Sequence, residues 1–414
     1  MKLLHITPHL GGGVGKAHAA LSRVLPGDVE QTFLLLEPAG DRRYADVIRA
    51  SGAQILTAAS LDDIGALAQL ADIVQFEFWN HPRLMECLGL CAFPAMRSVF
   101  WSHISGLSRP VIQPGLISEA GRFVFSSPVS LTIPTVASLP RAARERIAVV
   151  NSGFGFEAPP AGPRPRGAGL AIAYLGTVDF VKMHPGFFDA VDNLDEDGVC
   201  ASVWGRVDPT GAVSARAATM RHPHRVHLAG QTADPAQALS SADVFFYPLQ
   251  PDHYGTGENA LIEAMSLGLT PVVLANPAEM AIVSHGETGF VCSSIDECTQ
   301  TLRMLSASPA IVKRVGANAA RQAAADHRPA RAARDFTTLW RALLDEPARL
   351  HDFRPIVGES PLDWFLATQC LPGETWDPSD SEGAKALSKG TLASFAHAFP
   401  GSQLDARRRA GGSA

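Results

Sequence analysis

Two acidic residues and a short glycine-rich loop lie close together in the second half of the chain. The loop at residues 255–257 precedes a predicted helix that begins near Glu258. Free backbone N–H groups and the helix dipole suit such a helix start to a diphosphate. Glu263 follows a little more than one turn later, where a carboxylate can accept hydrogen bonds from two ribose hydroxyls. We therefore expect a nucleotide site, with contacts from Tyr254, Gly255, Thr256, Gly257, Glu258, Asn259, Ala260 and Glu263.

Two basic residues of the same half follow predicted strands. Lys182 lies in the loop after the strand Leu170–Leu175, and Arg206 comes just after Cys200–Trp204. A lysine in such a loop provides a mobile cation for phosphate, and an arginine provides a fork of N–H donors. The alternatives are an ordinary surface lysine and an arginine that only pairs with an acid.

A second glycine-rich segment, at residues 11–16, follows the first predicted strand. An ATP-binding Walker loop needs Ser or Thr after Gly-Lys, where Ala17 stands, and the dinucleotide fingerprint needs a different glycine spacing. The sequence therefore supports neither an ATPase nor a dehydrogenase. Gly12 and Gly13 either bring backbone N–H groups to a ligand of the cleft or form a plain turn between strand and helix.

Polar and aromatic residues follow two further predicted strands of the first half. His103 ends one strand candidate, and Glu77, Trp79 and His81 lie around the end of the preceding one. Ligands bind open α/β sheets at the carboxyl ends of strands. We therefore expect His103 in an active site and the other three in contact with an acceptor, with core packing as the alternative. No metal site is predicted, because the six cysteines are scattered and the acidic clusters resemble solvated loops.

Strand and helix patterns alternate along most of the chain, and the nearly continuous apolar runs indicate buried parallel strands. The predicted strands are Lys2–Thr7, Gln31–Glu37, Ala53–Thr57, Asp72–Phe78, Arg97–His103, Arg122–Ser126, Ala148–Asn151, Leu170–Leu175, Cys200–Trp204, Arg225–Leu228, Asp243–Pro248, Thr270–Leu274 and Gly289–Cys292. The predicted helices include Lys16–Val24, Ile64–Leu70, Gly186–Asn193, Pro235–Ser240, Glu258–Leu267, Pro277–Val283, Ile295–Leu305, Ala310–Asp326, Pro329–Asp345, Pro361–Gln369 and Lys385–Ala398.

The segment Ala158–Gly169 is rich in Pro and Gly and cannot form a core element. It predicts a linker between two doubly wound, Rossmann-like α/β domains at residues 1–160 and 168–345, with a cleft between them. Residues 346–414 are predicted to form a helical and irregular extension.

The bulk composition excludes several classes of function. Hydrophobic residues make up 46% of the chain and charged residues 18%, which is typical of a globular protein. A net charge of −6 argues against a nucleic-acid partner. The N-terminus does not resemble a signal peptide, and no run approaches the ~20 apolar residues of a membrane span. We expect a cytoplasmic protein with reduced cysteines, and peripheral contact with a membrane remains open.

Several of these motifs occur in the order found in the retaining family 4 glycosyltransferases, and the second half of the chain resembles that family throughout. The matching segments are Tyr174–Gly186, which carries Lys182; Trp204–Arg206; Val226–Gly230; Ser241–Val273, which carries Glu263; and His285–Val291. The first half matches loosely, best at Val99–His103.

The resemblance implies the GT-B fold and transfer of a sugar from a nucleoside diphosphate sugar to an acceptor hydroxyl, with retention and without an obligatory metal. It also implies that Lys182 binds phosphate and that His103 faces the transferred sugar. The acceptor is then a glycan, a lipid-linked molecule or a small molecule. The chain departs from the family pattern at Gly255, where a first glutamate is usual, and at Thr177, where an arginine is usual.

Two alternatives remain open at this stage. One is another enzyme on the same scaffold, such as a nucleotide-sugar epimerase or a sugar phosphorylase. The other is an inactive relative that serves as a binding or scaffold protein, which the departures at Gly255 and Thr177 would explain.

Overall fold

The computed structural model describes residues 1–38, 42–156, 169–194, 198–253, 255, 257–377 and 390–405. The chain divides into two compact units. The first comprises Met1–Ser152, Tyr254–Gly257 and Pro329–Ala414, and the second comprises Gly153–His253 and Glu258–Arg328. The predicted linker falls almost entirely outside the described residues.

Within its described residues, the first unit contains a parallel sheet of seven strands in the order β3-β2-β1-β4-β5-β6-β7. The strands are β1 (Lys2–Thr7), β2 (Glu30–Leu35), β3 (Gln54–Thr57), β4 (Ile73–Phe78), β5 (Ser98–Ser102), β6 (Arg122–Phe125) and β7 (Ile147–Val149). Every residue of β4 and β5 is buried, as expected of central strands that helices cover on both faces.

The described part of the second unit contains a parallel sheet of six strands in the order β10-β9-β8-β11-β12-β13. They are β8 (Ala171–Leu175), β9 (Cys200–Trp204), β10 (Val226–Gly230), β11 (Val244–Tyr247), β12 (Thr270–Leu274) and β13 (Phe290–Cys292). Its core includes Phe187 and Phe246, whose rings stack 5.1 Å apart. Two doubly wound parallel sheets confirm the predicted α/β fold class, and each observed strand overlaps a predicted one.

The described α-helices surround these two sheets. In chain order they are α1 (Gly12–Leu21), α2 (Arg43–Ala50), α3 (Leu61–Leu70), α4 (Pro82–Leu90), α5 (Pro114–Glu119), α6 (Pro134–Ala137), α7 (Arg141–Arg144), α8 (Gly186–Asp192), α9 (Ala212–Ala218), α10 (Pro235–Ser240), α11 (Asn259–Ser266), α12 (Pro277–Met280), α13 (Ile295–Ser306), α14 (Pro309–Asp326), α15 (Pro329–Leu344), α16 (Arg354–Val357), α17 (Pro361–Gln369) and α18 (Leu392–Ala398). Within the part of the chain that the structure describes, none of them combines the length and apolar character needed to cross a membrane.

Two helices begin four or more residues away from their predicted starts. Helix α1 begins at Gly12 instead of Lys16, because the backbone N–H of Gly15 already bonds to the carbonyl of Gly11. Helix α18 begins at Leu392, where Thr391 caps it through its side chain, and residues 385–389 of the predicted helix lie outside the described part.

Helix α15 belongs to a different unit from the one its sequence position suggested. The predicted second domain ran to residue 345, whereas the second unit ends at Arg328. The Phe336 ring of α15 packs edge-on against Trp101, and the indole N–H of Trp340 donates to Gln75. The apolar stripe of an amphipathic helix predicts that the helix packs against a sheet, but the sequence does not show which of the two sheets this is.

Candidate functional site

The loop that carries Lys182 is fixed to the loop after β11. The backbone N–H of Gln250 donates to the carbonyl of Lys182 at 2.8 Å, and the N–H of His184 donates to Pro248 at 2.9 Å. These bonds close a short antiparallel bridge between Met183 and Leu249. Because β8 and β11 are neighbours in a parallel sheet, the bridge holds Lys182 at the carboxyl ends of both strands.

The ammonium group of Lys182 contacts a buried carboxylate. Its Nζ lies 3.0 Å from Oε2 of Glu258, and the hydroxyl of Tyr247 donates to the same oxygen at 3.0 Å. The Lys182 side chain is 14% exposed and that of Glu258 is 1% exposed. Burial alone would raise the pKa of Glu258, but Lys182 and His253 hold that pKa below its usual value.

Glu258 has a backbone conformation that glutamate rarely adopts. Its φ of 32° and ψ of 55° lie in the left-handed region, directly before α11. Such a conformation costs a non-glycine residue about 1 kcal/mol or more, and it persists where the surroundings impose it. Here the bonds to Lys182 and Tyr247 hold the side chain, so the loop presents Glu258 at the start of the helix.

A second buried carboxylate lies on the other side of His253. Nε2 of His253 is 3.2 Å from Oε1 of Glu279, while its Nδ1 is 3.8 Å from Oε1 of Glu258. Burial raises the pKa of Glu279, opposite to the shift of Glu258. The two carboxylates are thus held in different ionisation environments around one imidazole.

Several predicted contacts gather around the start of α11. Asn259 and Ala260 form its first turn, and Glu263 lies further along it with 3% of its surface exposed. Gly255 is buried, Gly257 is half-buried, and Tyr254 and Thr256 lie outside the described residues. Arg206 is exposed after β9, near Asp208. The structure therefore brings Lys182 to Glu258, and the part that each residue plays toward a ligand stays a prediction.

The first unit contains a second polar cluster, centred on Glu77 in β4. Glu77 is fully buried, and its Oε2 lies 2.9 Å from Nε2 of His103, which follows β5. Its Oε1 lies 3.1 Å from Nδ1 of His5, 3.0 Å from Nε2 of His18 and 2.9 Å from Nε2 of Gln75.

These contacts determine the ionisation of the cluster. Burial alone would raise the pKa of Glu77, but His18, His103 and His5 hold that pKa well below its usual value. Burial lowers the pKa of His5 to about 4, so its imidazole is neutral at neutral pH. Glu77 is therefore a buried carboxylate anion surrounded by N–H groups.

The remaining predicted residues of the first unit lie at the same edge of its sheet. Trp79 is 3% exposed, and its ring centre is 6.2 Å from that of His103 and 5.8 Å from that of His81. His81 directly precedes α4 and caps it, since its Nδ1 accepts a hydrogen bond from the backbone N–H of Arg83. Gly12 and Gly13 lie in the first turn of α1. The proposed contacts of Trp79 and His81 with an acceptor, and of Gly12 and Gly13 with the sugar donor, remain predictions.

Sequence reasoning did not find Tyr247, Glu279, His5, His18 or Gln75. All five lie on strands or helices, and most of their partners come from distant parts of the chain. A polar residue within an otherwise apolar strand was the available signal, since such a group needs a partner when it is buried.

Within the described residues, three groups of side chains offer ligand atoms that lie within 4.8 Å of one another. They are His5, His18 and Glu77; His9, Glu37 and His81; and His253, Glu258 and Glu279. In the last group Nε2 of His253 is hydrogen-bonded to Glu279, whereas its Nδ1 lies 3.8 Å from Oε1 of Glu258, which is beyond hydrogen-bond distance.

Comparisons with known proteins agree with this architecture. A sequence model of the family described as Glycosyl transferases group 1 matches residues 169–308. No curated protein matches the chain significantly in sequence.

Solved structures resemble the chain over most of its length. Anabaena Alr3699/HepE, solved in complex with UDP, is 15% identical with a TM-score of 0.68, and the match covers 83% of this chain and 100% of that one. Sucrose-phosphate synthase from Thermosynechococcus elongatus is 15% identical with a TM-score of 0.65, again over 83% and 100%. A glycosyltransferase from Rickettsia africae is 11% identical with a TM-score of 0.67, over 83% and 99%. At these identities the likeness establishes the fold.

Proposed function

We propose that this chain, a glycosyltransferase of the GT-B fold with a group 1 glycosyl transferase domain at residues 169–308, transfers a sugar from a nucleoside diphosphate sugar to an acceptor hydroxyl. The observation that carries the proposal is the position of Lys182 at the carboxyl ends of β8 and β11, in contact with the residue that begins α11. A diphosphate bound at a helix start meets free N–H groups there and, at this one, a nearby ammonium group.

The proposed roles follow from this arrangement. The backbone N–H groups of Asn259 and Ala260, together with Lys182, stabilise the charge that develops on the departing diphosphate. Fixed groups of this kind favour the transition state because they need no rearrangement during the reaction. Glu263 accepts hydrogen bonds from the ribose hydroxyls, which suits a carboxylate that is almost fully buried.

Retention of the anomeric configuration and independence of a metal are further parts of the proposal. Both rest on the resemblance of Tyr174–Gly186 and Ser241–Val273 to the retaining family 4 enzymes. The acceptor is a glycan, a lipid-linked molecule or a small molecule. Trp79 and His81 are the proposed acceptor contacts on the first unit, and His103 is proposed to face the transferred sugar. NMR of the product's anomeric proton tests retention, and transfer in the presence of EDTA tests metal independence.

Binding of nucleoside diphosphates tests the sugar-donor site directly. HepE was solved with UDP, so UDP is the first probe, followed by GDP and ADP, measured by isothermal titration calorimetry. We expect one of them to bind the wild-type protein and expect Lys182→Ala and Glu263→Ala to weaken that binding at least tenfold. Removal of a charged hydrogen-bonding group from such a site costs about 1.5–3 kcal/mol.

Matched controls separate a local effect from a general one. Lys313→Ala and Glu287→Ala remove exposed residues of the same unit and should bind like wild type. Circular dichroism confirms that each variant is folded. The site assignment is wrong if the nucleotide binds wild type while Lys182→Ala and Glu263→Ala retain its full affinity.

A further inference from the structure

A chain of buried hydrogen bonds leads from α15 to the histidine at the end of β5. Its first member is Trp340, whose indole nitrogen can donate a hydrogen bond but cannot accept one. Nε1 of Trp340 donates to Oε1 of Gln75 at 3.0 Å, and both side chains are buried. The indole therefore determines which end of the Gln75 amide is the oxygen.

The direction of this first bond determines the next one. With its oxygen toward Trp340, Gln75 turns its NH₂ group toward Glu77 and donates to Oε1 at 2.9 Å. An ionised carboxylate only accepts hydrogen bonds. Every nitrogen that contacts Glu77 must therefore carry a hydrogen if the contact is to be favourable.

The same rule assigns protons to the surrounding imidazoles. His5 approaches Glu77 through Nδ1, His18 through Nε2 and His103 through Nε2. Neutral His5 then carries its hydrogen on Nδ1. His103 carries its hydrogen on Nε2, and in its neutral form it accepts hydrogen bonds at Nδ1.

We propose that Glu77, oriented through Gln75 and Trp340, is a positioning residue that fixes the proton of His103 on Nε2, so that Nδ1 accepts a hydrogen bond from a sugar hydroxyl. This inference rests on the proposed glycosyl transfer for the identity of the ligand, whereas the proton position follows from the hydrogen-bond geometry around the ionised Glu77 carboxylate. A hydroxyl is the matching partner because it donates, whereas a phosphate oxygen cannot donate to Nδ1.

A metal ion at the same cluster is the competing interpretation. His5, His18 and Glu77 offer a ligand set that zinc accepts. The N–H of Gln75, however, points at the Glu77 oxygen that would bind the ion, and Trp340 prevents the amide from turning its oxygen there without loss of a bond. The hydrogen-bonded network satisfies the carboxylate without a metal.

Substitution of Glu77 by glutamine makes a specific prediction, because the amide has one accepting end and one donating end. On the Oε1 side it meets the N–H groups of Gln75, His5 and His18, and on the Oε2 side it meets His103 alone. The amide oxygen should therefore face the larger group. Its NH₂ then faces His103 and forces the hydrogen of that imidazole from Nε2 to Nδ1.

The direct experiment is NMR of protein labelled with ¹⁵N in its histidine side chains. Long-range ¹H–¹⁵N correlations show which ring nitrogen carries a hydrogen, and the signals of His103 are identified by their absence in His103→Gln. We expect a protonated Nε2 in wild type and a protonated Nδ1 with bare Nε2 in Glu77→Gln. A wild-type His103 that carries its hydrogen on Nδ1 with a bare Nε2 would overturn the proposal, and this measurement needs no variant of Glu77 to fold.

Kinetics supplies the functional readout. Glu77→Gln should reduce kcat/KM for transfer about ten- to a hundredfold, the effect expected of an unpaired buried hydrogen-bonding group, while its affinity for the nucleoside diphosphate stays within twofold of wild type. Trp340→Phe should cause a smaller loss, because Gln75 is released from one side only. Unchanged kcat/KM in a folded Glu77→Gln protein with a shifted hydrogen would contradict the role given to Nδ1.

Trp364→Phe is the matched control. Trp364 is a buried tryptophan of the same unit whose indole donates to the carbonyl of Gly358, outside the network. It should leave both the His103 spectrum and kcat/KM unchanged, and an equal loss in this variant would refute the assignment to the network. Absence of transfer in wild type would instead contradict the proposed function, while the proton position would still be decided by NMR.

Discussion

His5 should make the first unit sensitive to acid over a defined pH range. Burial lowers its pKa from 6.5 to about 4. The depressed pKa means that the folded state resists protonation, so the stability from this group is present above pH 6.5 and lost as pH falls through about 4. A difference of about 2.5 units, at about 1.4 kcal/mol per unit, corresponds to about 3 kcal/mol of unfolding free energy.

The substitution that isolates this effect is His5→Asn. The Nδ2 of asparagine occupies about the position of Nδ1 in histidine, so the variant can still donate to Glu77 but cannot titrate. The depressed pKa of Glu77 also makes acid destabilising below about pH 4.5, but this contribution is present in both proteins and cancels in the comparison.

Guanidinium unfolding at pH 7.5, 5.5 and 4 measures the prediction, with tryptophan fluorescence following the first unit through Trp101 and Trp340. Between pH 7.5 and 4, the free energy of unfolding of the wild-type protein should fall by about 3 kcal/mol more than that of His5→Asn. His227→Asn, at an exposed histidine of the second unit, should follow wild type. Parallel stability curves for wild type and His5→Asn would refute the reasoning.

Two further predictions concern the cluster around Glu258. Lys182→Met should lower the free energy of unfolding by about 3 kcal/mol, because it leaves a buried carboxylate without its cation. Adding Glu258→Gln should recover most of that loss. Denaturant unfolding of the two single variants and the double variant measures the coupling energy, and simple additivity of the two effects would contradict the prediction. Because the pKa of Glu279 is raised, this group stabilises the folded protein below pH 4.5, and that contribution is lost as pH rises. The melting temperature of Glu279→Gln should therefore rise relative to that of wild type between pH 4 and 8. A difference in melting temperature that stays constant over this range would count against the prediction.

The strands were predictable because each is a short, nearly continuous apolar run between turn residues. The doubly wound α/β fold class followed from the alternation of strands and helices. The unit to which α15 belongs was not predictable. Its contacts with Trp101 and Gln75 join residues more than 200 positions apart, and no local pattern records such a pairing.

In the candidate site, too, local features could be predicted from the sequence, whereas long-range contacts could not. Lys182 and Glu263 could be selected from loop and helix patterns, because strand ends and helix starts are local features. The interior placement of Glu77 could not. Its position near a strand end suggested a ligand contact, whereas four nitrogens surround its carboxylate, from β1, α1, β4 and the loop after β5.

Gly255 occupies the position where the family pattern has a glutamate, and the contacts of Lys182 show where a carboxylate lies instead. The family pattern places a glutamate there, but in this chain the carboxylate that reaches Lys182 comes from Glu258, three residues later. Glu258 has a left-handed backbone conformation, which a glycine at this position would adopt without strain. The backbone conformation therefore does not explain why position 258 is a glutamate. The bonds of its carboxylate to Lys182 and Tyr247 explain it. Glu258 therefore holds Lys182 at the start of α11 although position 255 is a glycine. The glycine at 255 is by itself no argument for an inactive protein.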